Sequence, residues 1–328
     1  MVSLSMLTAI RCRMPAYPSY RALAESGELA DRISLACELL SDCAVCPRTC
    51  RVDRTAGELG YCRGGFLPRV SSIGPHFGEE PPLVGRHGSG TIFLAGCNMR
   101  CSFCQNYGIS QCYHGEEIPV DRLAGHMLAL QAMGCHNINF VTPSHFVPQI
   151  LAAVGIAAGQ GLSIPLVYNC GGYDLSGTIR LLDGIFDIYM PDAKYGSDEV
   201  ALALSDAPLY TNFNRKSLKE MHRQVGDLVI EGGIAKRGLI IRHLVLPEGL
   251  AGTEAVMEFI AREISPDSYV NVMDQYHWPG GILYKRVERI PLLRKMLRRI
   301  TEKEYAYAVD AAHRAGIHRG IPFEYWQQ

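Results

Sequence analysis

The chain has 328 residues, of which 48% are hydrophobic, and its formal net charge is −1. This length and hydrophobic content support a sizeable globular core, and the near-neutral charge argues against a global basic field that would attract DNA or an anionic membrane. The apolar runs are short, so none approaches the roughly 20 residues of a membrane-spanning helix. At the N-terminus the first basic residues, Arg11 and Arg13, follow the apolar run, the reverse of a signal peptide. We therefore expect a cytoplasmic protein.

Three regions follow one another along the chain. Residues 1–40 are predicted as a helical lead-in, because Leu and Ile recur at helical spacing over 16–40. Residues 41–90 contain a stretch that is rich in Cys, Gly and Arg and poor in large aliphatic residues, so we expect it to fold around a metal and to end in a Pro- and Gly-rich connection. Residues 91–328 carry the main domain and a last helix.

In the main domain, short apolar runs alternate with helical patterns, which is typical of βα units and a parallel sheet. Six strands are predicted, at 91–95, 137–141, 166–168, 185–190, 239–246 and 269–273. Helices are predicted near 121–133, 147–160, 175–182, 197–204, 215–230, 253–264 and 301–314. Six such units give either an open doubly wound α/β sheet or a partial barrel, and in both the chemistry gathers at the carboxyl ends of the strands.

The twelve cysteines form two groups and five isolated positions. Without an export signal they are expected to be thiols or metal ligands rather than disulfides. One group contains Cys43, Cys46, Cys50 and Cys62, and the other contains Cys97, Cys101 and Cys104. The isolated positions, interpreted as small buried residues, are Cys12, Cys37, Cys112, Cys135 and Cys170.

The second group stands in TIFLAGCNMRCSFCQN, where an apolar strand runs directly into three cysteines spaced C-x3-C-x2-C. Soft thiolates select iron–sulfur clusters or zinc, and a cubane needs four ligands where this loop provides three. One iron would therefore be open to an outside ligand. Zinc binding and chance clustering are the alternative readings.

The spacing, with an aromatic residue at Phe103 before the last cysteine, resembles the signature of the radical S-adenosylmethionine (SAM) superfamily. The resemblance implies that Cys97, Cys101 and Cys104 hold a 4Fe-4S cluster and that SAM chelates the open iron. It further implies reductive cleavage of SAM to a 5′-deoxyadenosyl radical, with reduced flavodoxin or ferredoxin as the electron donor. Phe103 and Asn106 are then expected to lie beside the cofactors.

Further segments resemble the activating enzymes of glycyl radical enzymes such as pyruvate formate-lyase. YMPDAKY carries a Met-x-Asp-x-Lys pattern in which Asp192 and Lys194 are implied to serve the SAM site, and alternation along a strand end points them to one side. An exposed ion pair is the alternative. YNCGGYD makes Asn169 and Cys170 candidate neighbours of SAM or of a cation.

One expected motif is missing. INFVTPSHF lies where the superfamily usually has a Gly-Gly-Glu-like motif for the SAM amino group, and Thr142, Ser144 and His145 are its candidate substitutes. His145 packed into a loop is the alternative. Polar residues at the ends of the last two strands are candidates for the substrate side, namely Arg242, Asp274, Gln275, Tyr276 and His277.

The first cysteine group supplies four thiolates, enough for structural zinc or for a second 4Fe-4S cluster, and its spacing does not separate the two. Basic neighbours could offset the thiolate charge or form a solvated face; they are Arg48, Arg51, Arg54 and Arg63.

Taken together, the segments most resemble the PflX-type relatives of the pyruvate formate-lyase activating enzyme, which implies a partial (β/α)6 TIM-like barrel with a Cys-rich N-terminal metal-binding extension. The expected function is an oxidoreductase that generates a radical from SAM to activate a glycyl radical enzyme. The alternatives are radical modification of a small molecule or peptide and, in a different class, a non-catalytic iron–sulfur or zinc carrier.

Overall fold

The structure is a computed structural model that describes residues 17–278, 287–288 and 290–321. Its centre is a run of six parallel strands that lie side by side in chain order. They are β2 (Ser89–Leu94), β4 (Ile138–Val141), β5 (Leu166–Cys170), β6 (Ile188–Pro191), β8 (Ile234–Leu244) and β9 (Tyr269–Met273). Each strand predicted from the sequence is present, with bounds that differ by a few residues, and the fold is the expected α/β partial barrel.

Three further strands, which the sequence analysis did not predict, pair antiparallel with this run. β1 (Arg69–His76) pairs with β2, and β3 (Glu116–Glu117) pairs with β1. β7 (Val229–Glu231) forms a hairpin with β8 through Gly232 and Gly233, which both have positive φ. The helix predicted over 215–230 is therefore wrong in its last turn, because Gly226 adopts a φ of +70° and ends the helix at Val225.

Most of the helices lie between successive parallel strands in the chain and cover the outer face of the sheet, whereas α3 packs against its inner face. They are α1 (Tyr20–Ser26), α2 (Glu28–Glu38), α3 (Pro81–Val84), α4 (Tyr107–Ser110), α5 (Val120–Ala132), α6 (Val147–Gly159), α7 (Ser176–Leu181), α8 (Asp198–Ser205), α9 (Tyr210–Val225), α10 (Thr253–Phe259) and α11 (Glu302–Arg314). The single helix predicted near the N-terminus is two helices, because Gly27 adopts a φ of +85° between them. No helix in the described ranges is both long enough and apolar enough to cross a bilayer.

Side chains alternate between the two faces of the parallel strands. Tyr168 and Tyr189 point outward, and Tyr168 makes edge contacts with Tyr189 and with Phe186 in the largest core cluster. Met190 points inward and packs in a smaller cluster with Leu83 of α3. Burying one such side chain contributes roughly 1.5–3 kcal/mol. The short helix α3 thus covers the inner face that six strands alone would leave open.

The parallel register brings the strand ends to one edge. Asp192, directly after β6, pairs with Arg242 of β8, which pairs in turn with Asn271 of β9. Asn169 of β5 pairs with Met190 of β6. Because alternate residues face the same side, these polar side chains all point into the barrel from its carboxyl end.

Gly172 is expected to be essential for this packing. It has a φ of +72°, and a Cβ atom there would lie 2.0 Å from the Asp192 carbonyl oxygen, which belongs to rigid backbone. Gly172→Ala should therefore lower the free energy of unfolding by about 3 kcal/mol or more, as measured by urea denaturation. Gly125→Ala, in α5, is the control, because a Cβ atom at Gly125 would meet no atom within 4 Å apart from its chain neighbours and the backbone of its own helix. This substitution should raise the free energy of unfolding by up to ~1 kcal/mol. Equal urea midpoints for Gly172→Ala and the wild type would contradict this account.

Candidate functional site

The cysteines Cys97, Cys101 and Cys104 lie on a tight loop that leaves the carboxyl end of β2. Gly96 begins the loop with a φ of +86°, and a Cβ atom there would lie 2.5 Å from the carbonyl oxygen of Cys62. The loop amides of residues 100 and 102 donate to the last two carbonyl groups of α8 at 2.9 and 2.8 Å. The loop is therefore held between the N-terminal Cys-rich region and α8.

Each of the three thiols has a hydrogen-bonding partner. The amide two positions after Cys97 donates to its Sγ at 3.3 Å, and the Ser205 hydroxyl donates to the Sγ of Cys101 at 3.0 Å. The Sγ of Cys104 lies 3.2 Å from the Ser110 hydroxyl. Hydrogen bonds of this kind stabilise thiolates and tune iron–sulfur clusters.

Protein surrounds the three side chains closely, although part of each stays open to solvent. Burial raises the pKa of the Cys97 and Cys101 thiols, whereas the nearby Lys194 ammonium acts to lower both values. The thiols are thus protonated until a metal displaces their protons. In the described ranges no group of three or more His, Cys, Asp or Glu side chains is arranged to hold a metal ion. A cluster is held differently from an ion, because its thiolates bind different irons.

Four other predicted residues meet at the carboxyl ends of β5, β6 and β8. The Lys194 ammonium contacts the Asp192 carboxylate, whose other oxygen accepts a hydrogen bond from Nε of Arg242 at 2.9 Å. Arg242 also donates to Oδ1 of Asn169 at 2.7 Å. The side chains of Asp192, Lys194 and Arg242 are only 11–19% exposed, so they border the solvent without being immersed in it. They form a charged network, not the exposed ion pair that the sequence left open.

The buried side chains of Asp192 and Lys194 stay ionised because oppositely charged groups lie next to them. Burial alone would raise the pKa of Asp192, but Arg242 and Lys194 outweigh it and lower that pKa. Burial would likewise lower the pKa of Lys194, and the contact with Asp192 outweighs it and raises that pKa. Removing one partner from such a buried set costs about 3–5 kcal/mol, because a charge is left without compensation.

The sequence analysis missed two carboxylates that complete this network. Glu79 and Glu80 follow β1 and are almost fully buried. Oε2 of Glu79 lies 3.5 Å from the Asn169 amide and 3.9 Å from the Arg242 guanidinium, and the Asn271 amide donates to Oε1 of Glu80 at 3.0 Å. The segment HFGEEPP reads as an irregular connection, although two adjacent acidic residues before Pro-Pro were an available signal.

The region that carries the cysteine loop and the charged network matches a known protein family. A model described as the Radical SAM superfamily matches residues 91–260, which hold the cysteine loop and the network around Asp192. The chain belongs to the radical SAM superfamily. Membership implies a 4Fe-4S cluster, SAM and a source of reducing electrons.

The radical SAM chain is also similar to individual proteins. An uncharacterised protein of Methanocaldococcus jannaschii, MJ0674, is 31% identical over 293 residues, which are 87% of this chain and 78% of that protein. Among solved structures, HydG, a maturase of the FeFe-hydrogenase, has a TM-score of 0.44 at 10% identity and covers 69% of this chain. HydG of Carboxydothermus hydrogenoformans has a TM-score of 0.41 at 13% identity and covers 70%. The chain spans 49% and 57% of these two HydG chains.

The remaining residues predicted near the radical SAM cofactors lie in different surroundings. Phe103 is buried against the ring of Tyr276, with centroids 6.1 Å apart. Asn106 is exposed where α4 begins, and Thr142 is half-buried with its amide 2.8 Å from the Asn169 carbonyl. Ser144 is buried beside Asp174, which also accepts a hydrogen bond from Tyr168 on the outer face of the sheet.

Four of the five predicted substrate-side residues of this radical SAM chain line one cavity at the end of β9, whereas the fifth, Arg242, lies in the network with Asp192. The residues Asp274, Gln275, Tyr276 and His277 contribute to a cavity of about 380 Å³. The amide of Gln105, in the cysteine loop, donates to the Gln275 carbonyl at 3.0 Å, so the cavity adjoins that loop. A larger cavity of about 600 Å³, between α10 and α11, contains no predicted site residue.

The predicted N-terminal cysteines Cys43, Cys46, Cys50 and Cys62 come together around a separate small cavity, which His145 also lines. The Nε2 of His145 lies 2.9 Å from the Ala95 carbonyl oxygen. His145 is thus packed behind the cysteine loop, in the surroundings that the alternative reading described.

His243 makes the stability of the site sensitive to pH. It is fully buried, with Nδ1 2.6 Å from the Ala193 carbonyl oxygen and Nε2 2.9 Å from the Thr253 hydroxyl. Burial lowers the pKa of His243 from its ordinary value of 6.5 to about 4. The unfolded chain then binds the extra proton between pH 6.5 and 4, so the stabilising contribution is complete above pH 6.5 and is lost as the pH falls.

We expect His243→Asn to reduce the loss of unfolding free energy between pH 7 and pH 5 by about 2 kcal/mol relative to the wild type, as measured by urea denaturation. His114→Asn, at an exposed histidine, is the control and should leave the pH dependence as it is. The same pH slope in His243→Asn and the wild type would show that His243 already titrates normally in the folded protein.

Proposed function

We propose that the chain holds a 4Fe-4S cluster through Cys97, Cys101 and Cys104 and uses it to cleave SAM reductively. The single observation that supports this most is the grouping of three hydrogen-bonded thiols on one loop at the end of β2, within electrostatic reach of Lys194. Three thiolates match a cubane with one free iron, and the adjacent cation matches a carboxylate-bearing ligand.

When bound, the cluster and SAM supply the electron and the 5′-deoxyadenosyl radical that abstracts hydrogen. The protein positions the cluster and SAM relative to each other. Cys97, Cys101 and Cys104 would hold the cluster, and Lys194 would receive the carboxylate of SAM. Asp192 holds the Lys194 ammonium at the mouth of the barrel, and Arg242 keeps Asp192 ionised.

Predicted residues at the same strand ends and in the cysteine loop are proposed to contact the rest of SAM. Thr142 and Asn169 are joined through a backbone hydrogen bond and serve the methionyl end of SAM in place of the missing Gly-Gly-Glu-like motif. Ser144 does not contact SAM directly and acts through its hydrogen bond with Asp174. Phe103 and Asn106 flank the cluster from the loop.

Cys101→Ala should abolish SAM cleavage, lowering the yield of 5′-deoxyadenosine at least 100-fold in anaerobically reconstituted, dithionite-reduced protein, because the cubane loses a ligand. Cys112→Ala is the matched control, since this exposed cysteine is eight residues beyond the last loop cysteine. Full SAM cleavage by Cys101→Ala would end the assignment of the loop. Wild-type protein that binds iron and leaves SAM intact would instead be a non-catalytic carrier.

Lys194→Gln should weaken SAM binding about tenfold or more, which corresponds to ~1.4 kcal/mol, because a charge-assisted contact to the carboxylate is lost. The measurement is the SAM concentration that half-saturates the change in the electron paramagnetic resonance spectrum of the reduced cluster. Lys216→Gln, at an exposed lysine of α9, should bind SAM as the wild type does. An unchanged half-saturation in Lys194→Gln would remove Lys194 from the SAM site.

The substrate proposed first is a glycine residue of a glycyl radical enzyme, as for the activating enzymes that segments of the sequence resemble. Reduced flavodoxin or ferredoxin would supply the electron. The test incubates the reduced protein and SAM with pyruvate formate-lyase and looks for the doublet of a glycyl radical. Uncoupled 5′-deoxyadenosine without that doublet would favour the second candidate, a small molecule or peptide, for which the cavity beside Asp274 and His277 offers room.

A further inference from the structure

Four cysteines of the N-terminal region enclose a cavity that lies behind the cysteine loop. Cys43, Cys46 and Cys62 are buried, Cys50 is partly buried, and none of the four forms a disulfide. They line a cavity of about 10 Å³ together with Arg54 and His145. None of the four cysteines lies in a strand or a helix, so their convergence is a product of the tertiary structure.

The turns around these sulfurs present backbone amides to them. The amide of Gly64 donates to Sγ of Cys62 and the amide of Tyr61 to Sγ of Cys50, both at 3.4 Å. The backbone amide of Arg48 makes the same bond to Cys46. An amide two residues after a cysteine donates to its sulfur in two of these three cases, as it also does at Cys97. Such bonds stabilise negative charge on sulfur.

Arg54 is a buried positive charge beside these sulfurs. Its side chain is 1% exposed, and the atoms that accept its hydrogen bonds are the neutral carbonyl oxygens of Gly65 and His145. Burying a guanidinium is costly unless a negative charge lies nearby. Burial raises the pKa of the Cys62 thiol and Arg54 acts to lower it, so the cysteines of the same cavity would supply that charge once a metal displaces their protons. Four thiolates around one zinc ion, or around an oxidised 4Fe-4S cluster, keep a net double negative charge that Arg54 partly offsets.

His145 is a second buried group whose bonding is incomplete. Its Nε2 must carry the hydrogen, because the Ala95 carbonyl can only accept, and burial lowers the pKa of the ring to about 4. Nδ1 is then an unprotonated nitrogen, and it has no hydrogen-bond partner in the part of the chain that the structure describes. An unprotonated imidazole nitrogen can accept a hydrogen bond from a thiol or bind a metal. The four cysteines of the same cavity offer both possibilities.

The same N-terminal region also packs directly against the cysteine loop of the proposed SAM site. The Cys62 carbonyl packs against Gly96, and Nε of Arg48 donates to the Asn98 carbonyl at 2.9 Å. The guanidinium groups of Arg48 and Arg100 stack on the ring of Tyr61 at 3.6 and 4.2 Å. The Tyr61 hydroxyl donates to Asp206, the neighbour of the serine that bonds Cys101.

The four thiols line one cavity without already having the geometry of a single-ion site. From these contacts, we infer that Cys43, Cys46, Cys50 and Cys62 close around a thiophilic metal centre, as a zinc ion or an iron–sulfur cluster, and that this centre clamps the backbone of the cysteine loop. All four donors come from the protein, so the centre has no open position for SAM. Arg54 and His145 are its positioning residues. The inference stands whether or not the proposed function is correct, because it needs neither SAM nor turnover.

The first experiment removes the loop cysteines and counts the metal that stays. The full chain carrying Cys97→Ala, Cys101→Ala and Cys104→Ala should retain either about one zinc or about four irons per chain after anaerobic purification with both metals supplied. Mössbauer and electron paramagnetic resonance spectra separate these two sources, and neither spectrum should respond to SAM. Circular dichroism checks the fold. A folded variant without zinc or iron would overturn the metal centre, and so would wild-type protein whose metal is all accounted for by the loop.

The second experiment tests Arg54 with a matched neighbour. Arg54→Gln should increase the rate of metal loss to a chelator at least tenfold, because an uncompensated double negative charge is left buried. Arg51→Gln is the control, since Arg51 is an exposed arginine of the same region paired with Asp42, and its rate should equal that of the wild type. Equal rates in Arg54→Gln and Arg51→Gln would overturn the role of Arg54.

The third experiment tests the clamp by hydrogen–deuterium exchange. Cys46→Ala, or wild-type protein stripped of the N-terminal metal, should exchange the amides of residues 96–104 at least tenfold faster, while β6 keeps its protection. Loss of the metal with unchanged exchange in the loop would retain the metal centre and overturn the clamp. Unchanged cluster and SAM spectra in that same sample would separate this result from any failure of the proposed function.

Discussion

The buried carboxylate of Asp192 is the interaction on which the proposed SAM site depends. It lies between two cations, Lys194 and Arg242, which keep it ionised, and its own charge in turn stabilises the ammonium of Lys194. The backbone beside it is equally constrained. Tyr210 and Asn214 of α9 donate to the Asp192 carbonyl, and His243 bonds the next carbonyl along the chain. The position of the proposed SAM-binding lysine is therefore set by several elements at once.

The cysteine loop is constrained from two sides. On one side, the end of α8 receives two loop amides and supplies the hydroxyl of Ser205 to Cys101. On the other side, the N-terminal region packs against Gly96 and holds the Asn98 carbonyl through Arg48. A loop that must place three sulfurs on three irons tolerates little backbone freedom, because errors of about an ångström are costly at a catalytic site. The contacts on both sides meet that requirement.

Membership of the radical SAM superfamily and the identity of the substrate are separate matters. The match over residues 91–260 covers the cysteine loop and the residues Asp192, Lys194 and Arg242 of the proposed SAM site. The cavity beside Asp274 and His277 lies at the far end of the parallel run, on β9 and the chain that follows, outside the matched residues. Function within a shared fold is decided by such variable sites. This is why the initiating chemistry follows from the family and the substrate does not.

The sequence by itself determined the six parallel strands and the cysteine loop, and its resemblance to the activating enzymes added Asn169, Asp192 and Lys194 as candidates at the strand ends. Short-range patterns carry this information, since alternation and loop spacing act within a few residues. The tertiary structure alone decided that Glu79 and Glu80 complete the network at these strand ends, and that Arg54 and His145 lie against the N-terminal cysteines. These contacts join residues up to 191 positions apart. A charge far away in the sequence becomes a neighbour only when the barrel brings it there, and no local pattern records that distance.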